Sequence, residues 1–225
     1  MAFQEKIGVC GKIVYGIIGI MKIKKGLFIT FEGCDGCGKT TQLNLLAEFL
    51  KEKGHEIIIT KEPGADGLGE KIRELLLNYN GEVSQKCESF LFLADRAQHI
   101  DTIVKPALQR SVIVLCDRHT DSTIAYQGYG RGLNIEELSK LNELATGGIK
   151  PDLTLLFDVD TETSMLRVGN SQDRMESAGI EFQKKVRMGY LELAQKEPER
   201  IKVFNSSKSI EQLHQEVITA VQTIL

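Results

Sequence analysis

Residues 33–41, GCDGCGKTT, carry two overlapping patterns with different chemistry. Cys34 and Cys37 form a C-x-x-C, the spacing of a redox dithiol or of half a zinc site. Residues 33–40 also read G-x-x-x-x-G-K-T, a loop whose backbone amides wrap phosphate. The flanks favour phosphate. An apolar run, LFITFE, leads into Gly33, and an amphipathic run, TTQLNLLAEFLKEKG, follows Lys39. Gly33, Gly36 and Gly38 permit the turns that aim successive N–H groups at one point, beside the positive end of a helix. Lys39 then reaches the β- and γ-phosphates, and Thr40 offers a hydroxyl to Mg²⁺. Gly33, Cys34, Asp35, Gly36, Cys37, Gly38, Lys39, Thr40 and Thr41 are therefore the expected phosphate-binding residues. A dithiol reading leaves Lys39 and the glycines without a role. It survives as a secondary expectation, that a Cys34–Cys37 bridge would distort the loop, since a helix N-terminus can acidify thiols.

The elements that must hold this loop read as one α/β domain. Short β-rich runs at 27–32, 56–60, 112–117, 153–159 and 200–205 alternate with helical stretches at 39–53, 67–77, 86–108, 134–146, 161–168, 179–196 and 209–224. Such alternation yields a five-stranded parallel sheet flanked by helices. At 225 residues, 42% hydrophobic and 26% charged, the chain can bury a core without staples. A net charge of -3 advertises no nucleic-acid surface and suits small anionic ligands. Five scattered cysteines and four isolated histidines argue for reduced thiols, a cytoplasmic home and no structural zinc. The first 25 residues hold five lysines and one glutamate, and their apolar stretch is too short to span a bilayer. Residues 1–21 are expected to be a dispensable extension, with the working domain at 22–225.

Neither the Asn-Lys-x-Asp of a guanine-nucleotide switch nor the Leu-Ser-Gly-Gly of a transporter motor is present. Instead TKEPGADGLGEKIRELLL (60–77), FLFLADRAQH (90–99), DRHTDSTIAYQG (117–128) and PDLTLLFDV (151–159) follow in order. Together with the loop they resemble the thymidylate kinases, across about Lys22 to Leu225. The resemblance implies a P-loop NTP hydrolase fold with a short mobile lid, a homodimer, and transfer of phosphate from Mg-ATP to dTMP for dTDP and DNA synthesis. ATP and dTMP would be the partners, with neither nucleic acid nor membrane involved. Two other readings remain open: a kinase for another nucleoside monophosphate, and a nucleotide-binding module without catalysis.

The resemblance also assigns roles. Arg118 would grip the acceptor phosphate, where a guanidinium fork suits an oxyanion. Phe92 would stack on thymine and Arg96 donate to its carbonyl edge. Tyr126 would crowd the sugar C2′, with Ser122, Gln127 and Lys61 completing the dTMP site, and Asp35 would take the 3′-OH. Asp117, ending a strand, and Glu62 would reach Mg²⁺ partly through water. LRVGNSQDRMES (166–177) resembles a lid supplying Arg167 and Arg174 to the transition state. The chain departs from the family pattern where Lys61 replaces an arginine and Ala65-Asp66 replaces Gly-Thr.

Overall fold

All five residues of FITFE are buried, so β1 (Phe28–Glu32) must be covered on both faces. A strand of that kind belongs at the centre of a parallel sheet. In the computed structural model, which describes residues 25–168 and 179–225, β1 is indeed the middle strand. β2 (Ile57–Lys61), β3 (Ile113–Asp117), β4 (Leu153–Asp158) and β5 (Ile201–Asn205) join it in the order β2-β3-β1-β4-β5, all parallel.

Alternate side chains of β1 face opposite layers. Ile29 and Phe31, with Leu155 and Phe157 of β4, meet Leu43, Leu46 and Leu50 of α1 (Lys39–Glu52) and Leu213, Val217 and Val221 of α9 (Ile210–Gln222). Phe31, Phe157 and Phe204 stack in sequence through this layer. On the other side Phe28, Val114 and Cys116 meet Ile100, Val104 and Ala107. The remaining helices are α2 (Gly67–Asn78), α3 (Gln85–His99), α4 (Lys105–Gln109), α5 (Thr120–Thr123), α6 (Ile135–Thr146), α7 (Thr161–Val168) and α8 (Ile180–Lys196).

Two segments differ from the sequence reading. The helix expected over 86–108 extends from 85 to 109, but residues Ile100–Val104 form a π turn between α3 and α4. Pro106 lies at the start of α4 and cannot donate back to the preceding turn, so a widened turn there fits the missing N–H. The sequence reading places no helix over Thr120–Thr123 or the π-helical Ile124–Gly130. Their Thr, Ile and Gly content gives weak helix propensity. Burial overrides it: Ala125 and Tyr126 pack on Phe182, Val186 and Tyr190 of α8.

The carboxyl ends of the central strands form one rim. Phe31 pairs with Asp117, and Asp117 with Lys61, so the phosphate loop, Lys61-Glu62 and Asp117-Arg118 emerge side by side. In open α/β sheets this edge is where ligands sit. Asp66, a departure from the family pattern, has a local cause: it caps α2 by accepting from Gly69 N–H at 2.8 Å.

Candidate active site

The loop at residues 33–41 leaves β1 and enters α1 as a backbone cradle. Gly33 lies at φ 136 and Gly36 at φ 73, in the region that disfavours side chains. A Cβ at Gly33 would collide with the Phe157 carbonyl, and one at Gly36 with the Ser164 carbonyl of α7. The Ser164 hydroxyl donates to the Asp35 carbonyl, tying α7 to the loop. Lys39 is buried, and its Nζ donates to the carbonyls of Gly33 at 3.0 Å and Cys34 at 2.9 Å. Thr40 and Thr41 are exposed at the mouth, where the Thr40 hydroxyl donates to Asp117 Oδ2 at 3.2 Å.

Cys34 and Cys37 are free and buried. Burial, reinforced by Cys37, pushes the Cys34 thiol up to about 12 despite Lys39 and Arg118. For Cys34, burial thus outweighs the acidifying pull of the helix N-terminus and the two cations.

Arg118 follows β3 with φ 70, a strained backbone for a side-chain-bearing residue. Its Nη2 donates to Asp35 Oδ1 at 2.6 Å and to the Tyr126 hydroxyl at 3.2 Å. Its Nη1 donates to the Gly33 carbonyl at 3.2 Å, the same oxygen that Lys39 uses. One carbonyl thus sets the spacing of the two cations. The guanidinium lies 5.0 Å over the Tyr126 ring. Burial works against ionisation of Asp35, but Arg118 and Lys39 overcome it and hold the acid at about 2.

Two clefts open on this centre. One is lined by Phe92, Arg96, Ser122, Tyr126 and Gln127 among others. The other runs over the phosphate loop past Lys61, Asp117 and Arg167 to Ser206 and Lys208. Asp35, Glu62, Arg73 and Arg118 line both.

Several expected residues take unexpected places. Lys61 is exposed and borders only the phosphate-loop cleft. Arg73 of α2, anchored through Nη1 to the Pro63 carbonyl at 3.0 Å, reaches both clefts and supplies the fork that lysine lacks. The sequence reading missed it; the signal was one arginine in the quoted EKIRELLL. Glu62 is tied into the protein more closely than the sequence suggests. Its Oε1 accepts from His99 Nδ1 at 2.7 Å and His119 Nδ1 at 2.9 Å, and its Oε2 from Arg96 Nε at 2.8 Å. With three protein donors it is the counter-ion of Arg96. Burial alone would raise its pKa, yet Arg96 and the histidine hydrogen bonds hold it well below the usual carboxylate range. Glu62, His99 and Cys116 cluster within 4.8 Å, but that guanidinium already neutralises the group.

Arg96, 1% exposed, also donates Nη1 to Thr123 at 2.7 Å and Asn142 at 2.6 Å, and Nη2 to the His119 carbonyl at 2.9 Å. Four of its five N–H groups are committed among the described residues, and Arg96 also lines the cleft. Gln127 is held by Glu88 at 2.9 Å, and Ser122 by Glu32 at 2.6 Å. Arg167 reaches the Gly36 and Ser206 carbonyls at 3.4 Å. Arg174, with the part of the expected lid at 166–177 that falls within 169–178, lies outside the described residues, as do residues 1–24.

A phosphate loop at the head of a parallel sheet, facing a second cleft through shared arginines, defines a P-loop phosphotransferase architecture. The family model described as thymidylate kinase matches residues 31–217. Relatives named thymidylate kinase include one from Pelotomaculum thermopropionicum, 47% identical over 205 residues, covering 89% of this chain and 95% of that protein. Another, from Desulfovibrio desulfuricans, is 43% identical over 209 residues, covering 88% and 96%. The crystal structure of thymidylate kinase from Ehrlichia chaffeensis superposes with a TM-score of 0.74 at 39% identity, covering 88% of this chain and 98% of that one. The chain belongs to the thymidylate kinase family.

Proposed function

We propose that the protein transfers the γ-phosphoryl group of ATP to dTMP, yielding ADP and the dTDP needed for DNA synthesis. The observation that carries this reading is the sharing of Asp35, Glu62, Arg73 and Arg118 by two clefts, so that donor and acceptor phosphates would meet there.

The acceptor needs no general base, because a monophosphate with a second pKa of about 6 is already largely ionised. The difficulty is holding two polyanions in line while charge spreads over the moving group. Lys39 faces the donor and Arg118 with Arg73 the acceptor, the first two registered by the Gly33 carbonyl. Phe92 stacks on the base, Arg96 meets its edge, and Tyr126 crowds C2′ beside Asp35, which takes the 3′-OH. Arg167 and Arg174 bring charge to the transition state from the lid side.

The Thr40 hydroxyl and Asp117 carboxylate, 3.2 Å apart beside the loop, are hard oxygen donors that fit Mg²⁺. When bound there, Mg²⁺ neutralises phosphate charge. The chain's own part is to hold those two oxygens against the loop. Free thiols at 34, 37, 87 and 116 support a cytoplasmic setting. Exposed Phe90 on α3 and Leu75 on α2 support a homodimer, in which they would be covered.

The experiment is ADP release on addition of dTMP to protein with Mg-ATP, for the wild type and Lys39→Ala. The reading expects release, reduced at least about a hundredfold by the substitution. ATP binding without release would overturn it in favour of a non-catalytic module. A thiol protein would instead keep its activity in Lys39→Ala and lose it in Cys34→Ser.

A further inference from the structure

Glu32, the last residue of β1, is wholly buried beneath the two clefts. Its Oε1 accepts from the His119 backbone N–H at 2.8 Å. Its Oε2 accepts from the hydroxyls of Ser122 at 2.6 Å and Tyr190 at 2.9 Å, which lie 2.7 Å from each other. Both hydroxyls also accept from Arg118 Nη1, at 3.3 and 3.2 Å. One carboxylate therefore grips Arg118 at both ends. The His119 amide is the peptide just after the strained residue, and the two hydroxyls steady its guanidinium. Backbone strain of this kind persists only where the surroundings enforce it, and it gathers at functional positions.

We propose that Glu32 and Tyr190 are positioning residues for the acceptor: Glu32, through the hydroxyls of Ser122 and Tyr190 and the amide of His119, presets Arg118 for the incoming monophosphate. The inference rests on the reading of Arg118 as the acceptor-phosphate arginine. Arg118 otherwise leans on Asp35, which the reaction itself engages. The Glu32 clamp is on the far side, away from the reacting oxygens, and it brings α8 into the acceptor site through Tyr190. A clamp needed only for folding would gain from being neutral. Burial first, and Asp121 second, raise Glu32 to about 7 against the lowering pull of Ser122, Arg118 and the His119 amide. The titratable groups facing it are Asp121 on α5, Arg118 and Cys116 at the end of β3, and Tyr190 on α8.

A raised carboxylate lends stability that is full below its ordinary value and lost as pH rises through the folded one. Above about pH 7 the charge therefore opposes folding while it orders Arg118. Glu32→Gln should melt no lower than the wild type at pH 8, yet bind dTMP more weakly.

The test measures kcat and KM for dTMP and ATP between about pH 6 and 8.5 on the full chain, for wild type, Tyr190→Phe, Glu32→Gln and Arg118→Ala. Losing one charge-linked hydrogen bond should raise the dTMP KM about tenfold in Tyr190→Phe, with ATP KM and kcat nearly unchanged. In the wild type, log(kcat/KM) for dTMP should rise through an inflection near pH 7 that Glu32→Gln lacks, while the substrate's own ionisation at about 6 remains in both. Arg118→Ala raising the dTMP KM while Tyr190→Phe and Glu32→Gln leave KM and pH profile as in the wild type would overturn the clamp alone. An unchanged dTMP KM in Arg118→Ala would overturn the reading of the site, and the clamp with it. Should Glu32→Gln fail to fold, Tyr190→Phe, which deletes a single hydroxyl, decides the matter by its KM split.

Discussion

Replacing Glu62 by glutamine keeps the shape of the side chain and removes its charge. The consequence follows from what surrounds it. Arg96 is 1% exposed, so the substitution strands a buried guanidinium and aims an amide N–H₂ at existing donors. Breaking a buried ion pair from one side costs about 3–5 kcal/mol. At this chain length each kcal/mol moves the melting temperature by about 2–4 °C, so Glu62→Gln should melt roughly 6–20 °C lower at pH 7. The sign of the pH dependence is fixed by the lowered pKa. A depressed carboxylate contributes stability above its ordinary value of 4.5, and loses it as pH falls through the folded value. Thermal melts followed by circular dichroism should therefore show the gap between variant and wild type closing on acidification. A difference below about 2 °C at pH 7, or a gap that ignores pH, would refute the assignment of Glu62 as the Arg96 counter-ion.

Phe92→Ala should raise the dTMP KM about 10- to 100-fold and spare that for ATP, since base stacking contributes about 1–3 kcal/mol; steady-state kinetics checks it. Arg174→Ala should lower turnover at least about a hundredfold with little change in ATP affinity, and an unaltered kcat would remove this arginine from the transition state. Brief alkylation of the native protein near pH 8, read by mass spectrometry, should label exposed Cys87 and spare Cys34, Cys37 and Cys116; rapid labelling of Cys34 would contradict its buried, high-pKa environment.

The parts of the site that lie close together in the chain could be read from the sequence. The phosphate loop needs only a strand, three glycines, Lys39 and Thr40 in succession, and Asp117-Arg118 follows directly from an apolar strand. The five strands were likewise visible as β-rich runs between helical ones. What depends on distant residues was not. Glu62 looks like an acid in an exposed turn until His99, 37 residues on, and His119, 57 residues on, are folded against it. Tyr190 meets Glu32 across 158 residues, and no local pattern marks either. The helical turns over Thr120–Thr123 and Ile124–Gly130 escaped notice because their propensity is poor and the packing on α8 that holds them is tertiary. Arg73 went unassigned because helix α2, not strand β2, carries this arginine to the acceptor cleft, and an isolated arginine in a helical run marks no site.

A panel of nucleoside monophosphates, each offered with Mg-ATP and assayed for ADP release, bears most directly on the claim that the cleft lined by Phe92, Arg96 and Tyr126 is a thymidylate site joined to the phosphate loop. Run on the full chain and on a version starting at Met21, it should give the largest kcat/KM for dTMP in both. A stronger response to another monophosphate would reassign the acceptor, and ADP release that no monophosphate stimulates would contradict phosphate transfer between the two clefts.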